Sequence, residues 1–283
     1  SVLDAACRKA GVEITLGQKV SEISSFDPVC YDTNAGEDTA DLLVCADGIH
    51  SIGRAAVLGE TAPSFTGQTA WRLVIPNTSN HPNMARIFMA PKKHVVSYPI
   101  RGGKLINLVF VEERASWAKE SWFEQSTGAA LQDTFQEFSS VMPLSEEIQD
   151  PYIWGLFSHP VAPNWSKGKV VLMGDAAHPT LPFMAQGANL ALEDAWVLAD
   201  ALSVAESIKE GLRQYQSRRL ERVKRIVMTA EKNSWKYHLS FPPLRWSVHC
   251  AISAMSRFAP RHMVQQFDWI YGHDVTQESK RRL

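Results

Sequence analysis

Lys169-Val-Val-Leu-Met-Gly174-Asp175-Ala-Ala-His178-Pro179-Thr-Leu-Pro182-Phe-Met-Ala-Gln186-Gly187-Ala188-Asn189-Leu-Ala-Leu-Glu193-Asp194-Ala195 is the stretch on which the fold turns. Its first five residues read as a buried strand, and Gly174-Asp175 closes it. A proline-rich loop then runs to Gly187. From Gly187 to about Ser203 apolar residues nearly encircle a helical axis, which predicts a helix packed on several sides. A strand that stops at a Gly-Asp step and turns into a helix is how an open α/β sheet builds a ligand crevice at its carboxyl edge.

The residue types in this stretch suit a particular kind of ligand. Asp175 at the strand end can accept hydrogen bonds from sugar-like hydroxyls. The amides of Gly187, Ala188 and Asn189 form the positive end of a helix, where a partial negative charge gains about 0.3–2 kcal/mol. Pro182, Gln186 and Gly187 put few side-chain atoms between the main chain and a flat ring. The plain alternative is a tight turn before a core helix, with Asp175 as a cap and His178 exposed. One histidine three residues from one aspartate is no metal site.

A second strand-turn-helix lies upstream. The apolar run Ala40 to Ala46 predicts a strand buried on both faces, and it ends in Asp47-Gly48-Ile-His-Ser51-Ile-Gly-Arg54. Ser51 and Arg54, three apart, share a helix face, so Arg54 can meet a phosphate. Equally open is an ordinary N-cap at Asp47 with a solvated Arg54.

The texture changes around these segments. Val2 to Ala10 has helical spacing with Gly11 behind it, and Val12 to Leu16 and Lys19 to Ile23 alternate like strands. From Pro63 to about Pro163 the chain reads as an antiparallel unit, with strands at Phe65–Ile75, Arg86–Met89, His94–Ile100 and Leu105–Val111. Gly102-Gly103 supplies a hairpin turn, and Pro99 marks an edge or a bulge. One amphipathic helix there places Leu131, Phe135, Phe138 and Val141 on one face behind Thr127 as cap. Residues 205 to 240 form an Arg- and Lys-rich helix, and helix continues to Tyr271 with breaks at Pro242-Pro243 and Pro260.

The expected division is therefore residues 1–62 and 164–204 as two parts of a nucleotide-binding α/β domain, 63–163 as an inserted antiparallel-sheet substrate domain, and 205–283 as a C-terminal helical region. A chain of 283 residues, 45% hydrophobic and 21% charged, is globular. Its 29 basic and 30 acidic residues give no electrostatic case for nucleic acid or an anionic membrane. Four scattered cysteines without a Cys-x-x-Cys pair read as a reducing cytoplasm, and the nine histidines include no metal-ligand spacing. No apolar stretch has the length to cross a bilayer, so stable membrane insertion is not expected.

Gly174-Asp-Ala-Ala-His-Pro with Gln186-Gly-Ala-Asn-Leu-Ala-Leu-Glu-Asp-Ala195 closely resembles the second flavin motif of single-component FAD-dependent aromatic hydroxylases. Among them the salicylate-hydroxylase-like branch, of the p-hydroxybenzoate-hydroxylase fold family, is nearest. Ala46-Asp-Gly-x-x-Ser-x-x-Arg54 resembles that family's middle motif, shared between the pyrophosphates of FAD and NAD(P)H. Asp268-Trp-Ile-Tyr-Gly-His-Asp274 resembles its carboxyl end, so the resemblance runs from near Ser1 through the whole chain.

The resemblance implies FAD held by Gly174, Asp175, Gly187, Ala188, Asn189, Asp47, Gly48 and Arg54, with NADH or NADPH as reductant. It implies hydroxylation of a small phenolic or N-heteroaromatic acid by O2 through a flavin C4a-hydroperoxide. The Pro182 carbonyl and Tyr98 are the implied substrate contacts, with an ordinary buried tyrosine as the alternative for Tyr98. Arg72 is a weaker candidate, with a salt bridge as its expected role. A homodimer is compatible with this reading.

The family's Gly-x-Gly-x-x-Gly turn is missing from the 283 residues. The nucleotide fold is thus expected to be incomplete at its amino-terminal side, with weak FAD-dependent NAD(P)H oxidation. Two other readings stand beside the hydroxylase: an FAD-free remnant serving as an interaction module, and a same-fold enzyme acting on a quinone precursor or polyketide.

Overall fold

The computed structural model describes residues 2–115, 124–140 and 150–280. The chain is mixed α/β, with antiparallel sheets and C-terminal helices. It divides into two compact units.

The first unit gathers residues 1–62, 161–179 and 190–221. It opens with α1 (Val2–Lys9), followed by a meander of β1 (Val20–Phe26), β2 (Val29–Thr33) and β3 (Gly36–Ala40). Its second sheet has the order β11 (Ser166–Lys167), β12 (Val170–Leu172), β4 (Leu43–Cys45), and the β12–β4 pair is parallel. α2 (Ile52–Leu58) follows β4. All three residues of β12 are fully buried, which is why this strand is an unbroken apolar run.

Two expectations need correction here. Val12–Leu16 forms no strand, and both ends of the segment lie exposed. The Ala40–Ala46 run contributes only a three-residue strand, in which Val44 is 37% exposed, because among the described residues β4 has a neighbour on one side alone.

The second unit gathers residues 63–160, 180–189 and 222–283. Its sheet has six strands in the order β6 (Arg86–Ala90), β7 (Lys93–Ile100), β8 (Leu105–Glu113), β5 (Ser64–Pro76), β10 (Tyr152–Ser158), β9 (Glu124–Gln125). Every pairing is antiparallel. The β7–β8 turn needs backbone that L-residues rarely adopt, and Gly102 (φ 66°) and Gly103 (φ 84°) provide it. Pro99 is tolerated because β6 pairs β7 only as far as Ser97, leaving that side of Pro99 without a ladder neighbour.

The period-two alternation gives this sheet two different faces. One carries Trp71, Leu73, Val95, Leu108, Phe110 and Ile153, buried under α3 (Gly128–Thr134) and the turn after it. Phe135 meets Trp71 edge-on at 5.4 Å and Phe110 at 5.0 Å. Side chains buried this way contribute about 1.5–3 kcal/mol each. Thr127 caps α3 by accepting from the Ala130 amide at 3.1 Å. Leu131, Phe135 and Phe138 pack as the spacing predicts, and Val141 lies outside the described residues. The opposite face carries Ala70, Val111 and Leu156 with Leu181 and Phe183.

α4 (Gly187–Val204) and α5 (Ile208–Tyr237) contribute residues to both units, and α6 (Pro242–Phe258), α7 (Pro260–Gln265), α8 (Asp268–Tyr271) and α9 (Val275–Lys280) complete the chain. α4 is less enclosed than its composition predicts. Leu190, Val197, Leu198 and Ala201 are buried, but Leu192, Trp196 and Val204 are exposed. Among the described residues no helix is long and apolar enough to cross a membrane.

Candidate functional site

In the first unit the end of β12 is shaped by a buried charge network. Gly174 turns at φ 60°, and a Cβ there would stand 3.2 Å from that of Ala191. The next residues make a single 3-10 turn (Gly174–Ala176) and then His178. Asp194, on α4 and wholly buried, accepts from the Gly174 amide at 3.0 Å and from His178 Nε2 at 2.6 Å through one oxygen. Its other oxygen accepts from Arg219 Nε at 2.8 Å, and Arg219 Nη1 reaches Glu193 at 2.7 Å.

Burial alone would raise the Asp194 carboxyl, but the hydrogen bond and charge of His178, and then those of Arg219, outweigh it and hold it below its ordinary value. His178 stacks beside Trp165 at 5.1 Å. The plain alternative of an exposed His178 is therefore wrong: the ring is 1% exposed and is part of the scaffold under the turn. Sequence reading missed Asp194 and Arg219. The only signal was the Glu193-Asp194 pair on an otherwise apolar helix, since Arg219 is a tertiary partner 25 residues away.

Asp175 is the residue this scaffold presents outward. It is exposed, and among the described residues it has no hydrogen-bond partner. The protein packed beneath its carboxyl raises its pKa, while His178 pulls the other way. At the companion turn Gly48 takes φ 81°. Asp47 accepts from Ser51 Oγ at 2.5 Å and from the Ile52 amide at 2.8 Å, and Ser51 caps α2 through the Arg54 amide at 2.8 Å.

Arg54 departs from both readings of its sequence. It is 4% exposed, so it is not solvated, and it is not turned outward to a phosphate. Its Nη1 donates to the carbonyls of Ala176 and Ala177, both at 3.1 Å, and so clamps the Asp175 turn from below. Loss of water around it lowers its pKa.

In the second unit Pro182–Met184 forms another 3-10 turn, closed by Ala185 in the left-handed region at φ 51°. The Met184 carbonyl accepts from Tyr271 Oη at 3.2 Å. Gly187 begins α4 beside open space, with Thr180 at 3.5 Å as the nearest atom to a Cβ placed there. Ala188 and Asn189 are exposed. First-turn amides of a helix have no acceptor within the helix itself.

The same unit contains a cavity of about 750 Å³ lined by Arg72, Tyr98, Val109, Tyr152, Trp154 and Pro182, among others. Tyr98 and Pro182 are thus brought together, and Tyr98, 36% exposed, is not an ordinary buried tyrosine. Arg72 makes no salt bridge among the described residues. It bonds instead to Asn107 through Nε at 2.7 Å.

A buried histidine pair was also not legible in the sequence. His94 Nδ1 lies 2.6 Å from His238 Nε2, and His238 Nδ1 lies 3.2 Å from Glu113. Burial, then the neighbouring imidazole, push His94 down to about 3. Its ring packs on Phe183 and Tyr237 at 5.5 and 5.3 Å. Among the described residues no group of His, Cys, Asp and Glu could hold a metal ion.

Known proteins share this fold. A solved salicylate hydroxylase in complex with substrate superposes with a TM-score of 0.80 at 24% identity, covering 99% of this chain and 74% of that one. Among curated proteins, 3-amino-4-hydroxybenzoate 2-monooxygenase PtnB3 of Streptomyces platensis is 31% identical over 252 residues, 86% of this chain and 61% of the relative. The 3-hydroxybenzoate 6-hydroxylase 1 of Aquipseudomonas alcaligenes is 29% identical over 290 residues, 97% of this chain and 71% of its own length. This chain therefore spans about three fifths of the Streptomyces relative. The family model described as FAD binding domain matches residues 1–230, and the chain belongs to that family.

Proposed function

We propose that this chain is part of an FAD-dependent aromatic hydroxylase of the cytoplasm, which converts an aromatic C–H to C–OH using O2 and NADH or NADPH, with water and NAD(P)+ as the other products. The observation that carries the reading is the convergence of Tyr98 and Pro182 on one aromatic-walled cavity. The relatives named for hydroxybenzoate chemistry support the same class of substrate.

The outward residues fit a flavin. An exposed Asp175 with no hydrogen-bond partner among the described residues suits ribityl hydroxyls, and the first-turn amides of Gly187, Ala188 and Asn189 suit the electron-rich edge of an isoalloxazine. FAD, when bound, supplies the two-electron chemistry with O2. The chain's own part is placement. Asp194, His178 and Arg54 fix the turn that presents Asp175, and Asp47 and Gly48 shape the turn before α2. Pro182 lines the cavity with Tyr98, Val109 and Trp154, which exclude water from the reacting carbon.

The adenosine half of FAD falls, in this reading, to sequence that these 283 residues do not include. The missing Gly-x-Gly-x-x-Gly and, among the described residues, the one-sided pairing of β4 support that division. Exposed Trp246 and Phe258 on α6 support a homodimer, and the scattered cysteines support the compartment. Purified protein that turns yellow with FAD and yields a hydroxylated aromatic, once joined to an adenosine-binding segment, would bear the proposal out. A colourless protein that binds no FAD would sink it.

A further inference from the structure

We infer that Tyr271 is a positioning residue, whose hydroxyl locks the Met184–Ala185 peptide and thereby holds Pro182 at the wall of the second unit's cavity; the inference rests on the aromatic-substrate reading above and gives that site its brace. The Met184 carbonyl accepts from Tyr271 Oη at 3.2 Å. At the other end of the same peptide the Ala185 amide donates to the Pro182 carbonyl, also at 3.2 Å. One rigid peptide plane therefore links the tyrosine to a residue that lines the cavity.

The lock has a strained residue to hold. Ala185 sits at φ 51°, ψ 35°, a left-handed conformation that a Cβ disfavours. Turning the Met184–Ala185 peptide over would release Ala185 from it. Both hydrogen bonds would then break, because the oxygen and the N–H would exchange sides. A strained residue persists only where its surroundings over-determine it, and the Tyr271 hydroxyl grips this peptide by its oxygen. The Met184 side chain is held as well, with Asn233 Nδ2 at 2.7 Å from its sulfur.

The segment that carries the tyrosine is anchored in turn. Arg222 on α5 donates to the carbonyls of Trp269 at 2.7 Å and Ile270 at 3.1 Å, and the guanidinium of Arg225 lies over the Trp269 ring at 3.7 Å. Ile270 is buried, whereas Tyr271 is 60% exposed. A ring so exposed adds little to the core, so what its hydroxyl fixes is the turn. Ala185 also stands two residues before Gly187, and the same lock sets where α4 begins.

Hydrogen exchange at the Ala185 amide, followed by NMR, and calorimetric titration with phenol test this together. Tyr271→Phe removes one oxygen and should raise the opening equilibrium at that amide by about 2- to 12-fold, the range for one neutral hydrogen bond. Phenol binding should weaken by up to the same factor, as the fraction of molecules with the turn in place falls. Ala185→Gly removes the strain instead, and added to Y271F it should return both readouts most of the way to wild type. A tyrosine that served only general stability would not be rescued in this way. Wild-type protection of the β7–β8 ladder marks a folded variant. Exchange or phenol affinity that Y271F leaves unchanged, or a double variant no better than Y271F, would overturn the inference while leaving the aromatic-substrate reading intact. Failure of phenol to bind the wild type would overturn that reading, and the inference with it.

Discussion

Replacing Asp194 by Asn changes no volume and removes one charge from the centre of the first unit. In the native protein that carboxylate accepts from Gly174, His178 and Arg219, and none of the four groups is solvated to any extent. The amide can keep one acceptor, but its NH2 must face either His178 or Arg219, and in the second case the arginine keeps only Glu193 and a long bond to the Leu190 carbonyl. Breaking one side of a buried ion pair costs about 3–5 kcal/mol. At about 2–4 °C per kcal/mol for a chain of this size, the unfolding midpoint should fall by about 6–20 °C.

The pH dependence follows from the lowered carboxyl. A folded-state value below the unfolded value of 3.8 stabilises the protein above that pH, and the gain is lost as pH falls through the folded value. The gap between wild type and D194N should therefore be full at neutral pH and narrow below about pH 3.8. Scanning calorimetry across that range is the assay. A variant within about 1 kcal/mol of wild type at neutral pH would refute the claim that this network holds the turn.

Three further expectations follow from other residues. His94 sits neutral with its value pushed down to about 3 from 6.5, so the unfolded chain binds the extra proton and stability should rise with pH across that window, at up to about 1.4 kcal/mol per pH unit; melting curves of wild type and H94Q would show the slope flatten in the variant. Arg54→Met removes the donor shared by the Ala176 and Ala177 carbonyls and should cost about 1–3 kcal/mol by denaturant titration, with a matching loss of flavin affinity. Gly174→Ala forces a side chain to φ 60° against Ala191, and should destabilise the chain by more than about 1 kcal/mol in the same titration.

The elements that were legible in the sequence are those whose local pattern and tertiary surroundings agree. β12 is a pure apolar run and is wholly buried, and the strands from Phe65 to Val111 alternate as a two-faced sheet requires. Gly102-Gly103 and Thr127 could be read because turn and cap chemistry is local. Reading failed where a partner lies far along the chain. Val12–Leu16 alternates but has no neighbour to pair with among the described residues, and β10 was overlooked although it sits between β5 and β9.

The site divided along the same line. Asp175 is exposed at its strand end and Tyr98 and Pro182 line one cavity, positions that a strand end, a strand face and a proline turn announce in a few residues. His178 was dismissed because its partner is 16 residues away, and Arg54 was given to a phosphate because nothing local shows that it reaches carbonyls 122 and 123 residues on. Arg72 was expected in a salt bridge, and only the register that sets it beside Val109 and Tyr152 reveals its place on the cavity wall.

Flavin titration of wild type and Asp175→Ala, followed by quenching of isoalloxazine fluorescence, tests the account at its centre. If Asp175 holds the ribityl end of the cofactor, FMN and FAD should bind this chain with similar affinity, and D175A should weaken both by about tenfold or more, the worth of a charge-assisted hydrogen bond. Flavin binding that D175A leaves unchanged, or no flavin binding to the wild type at all, would contradict it.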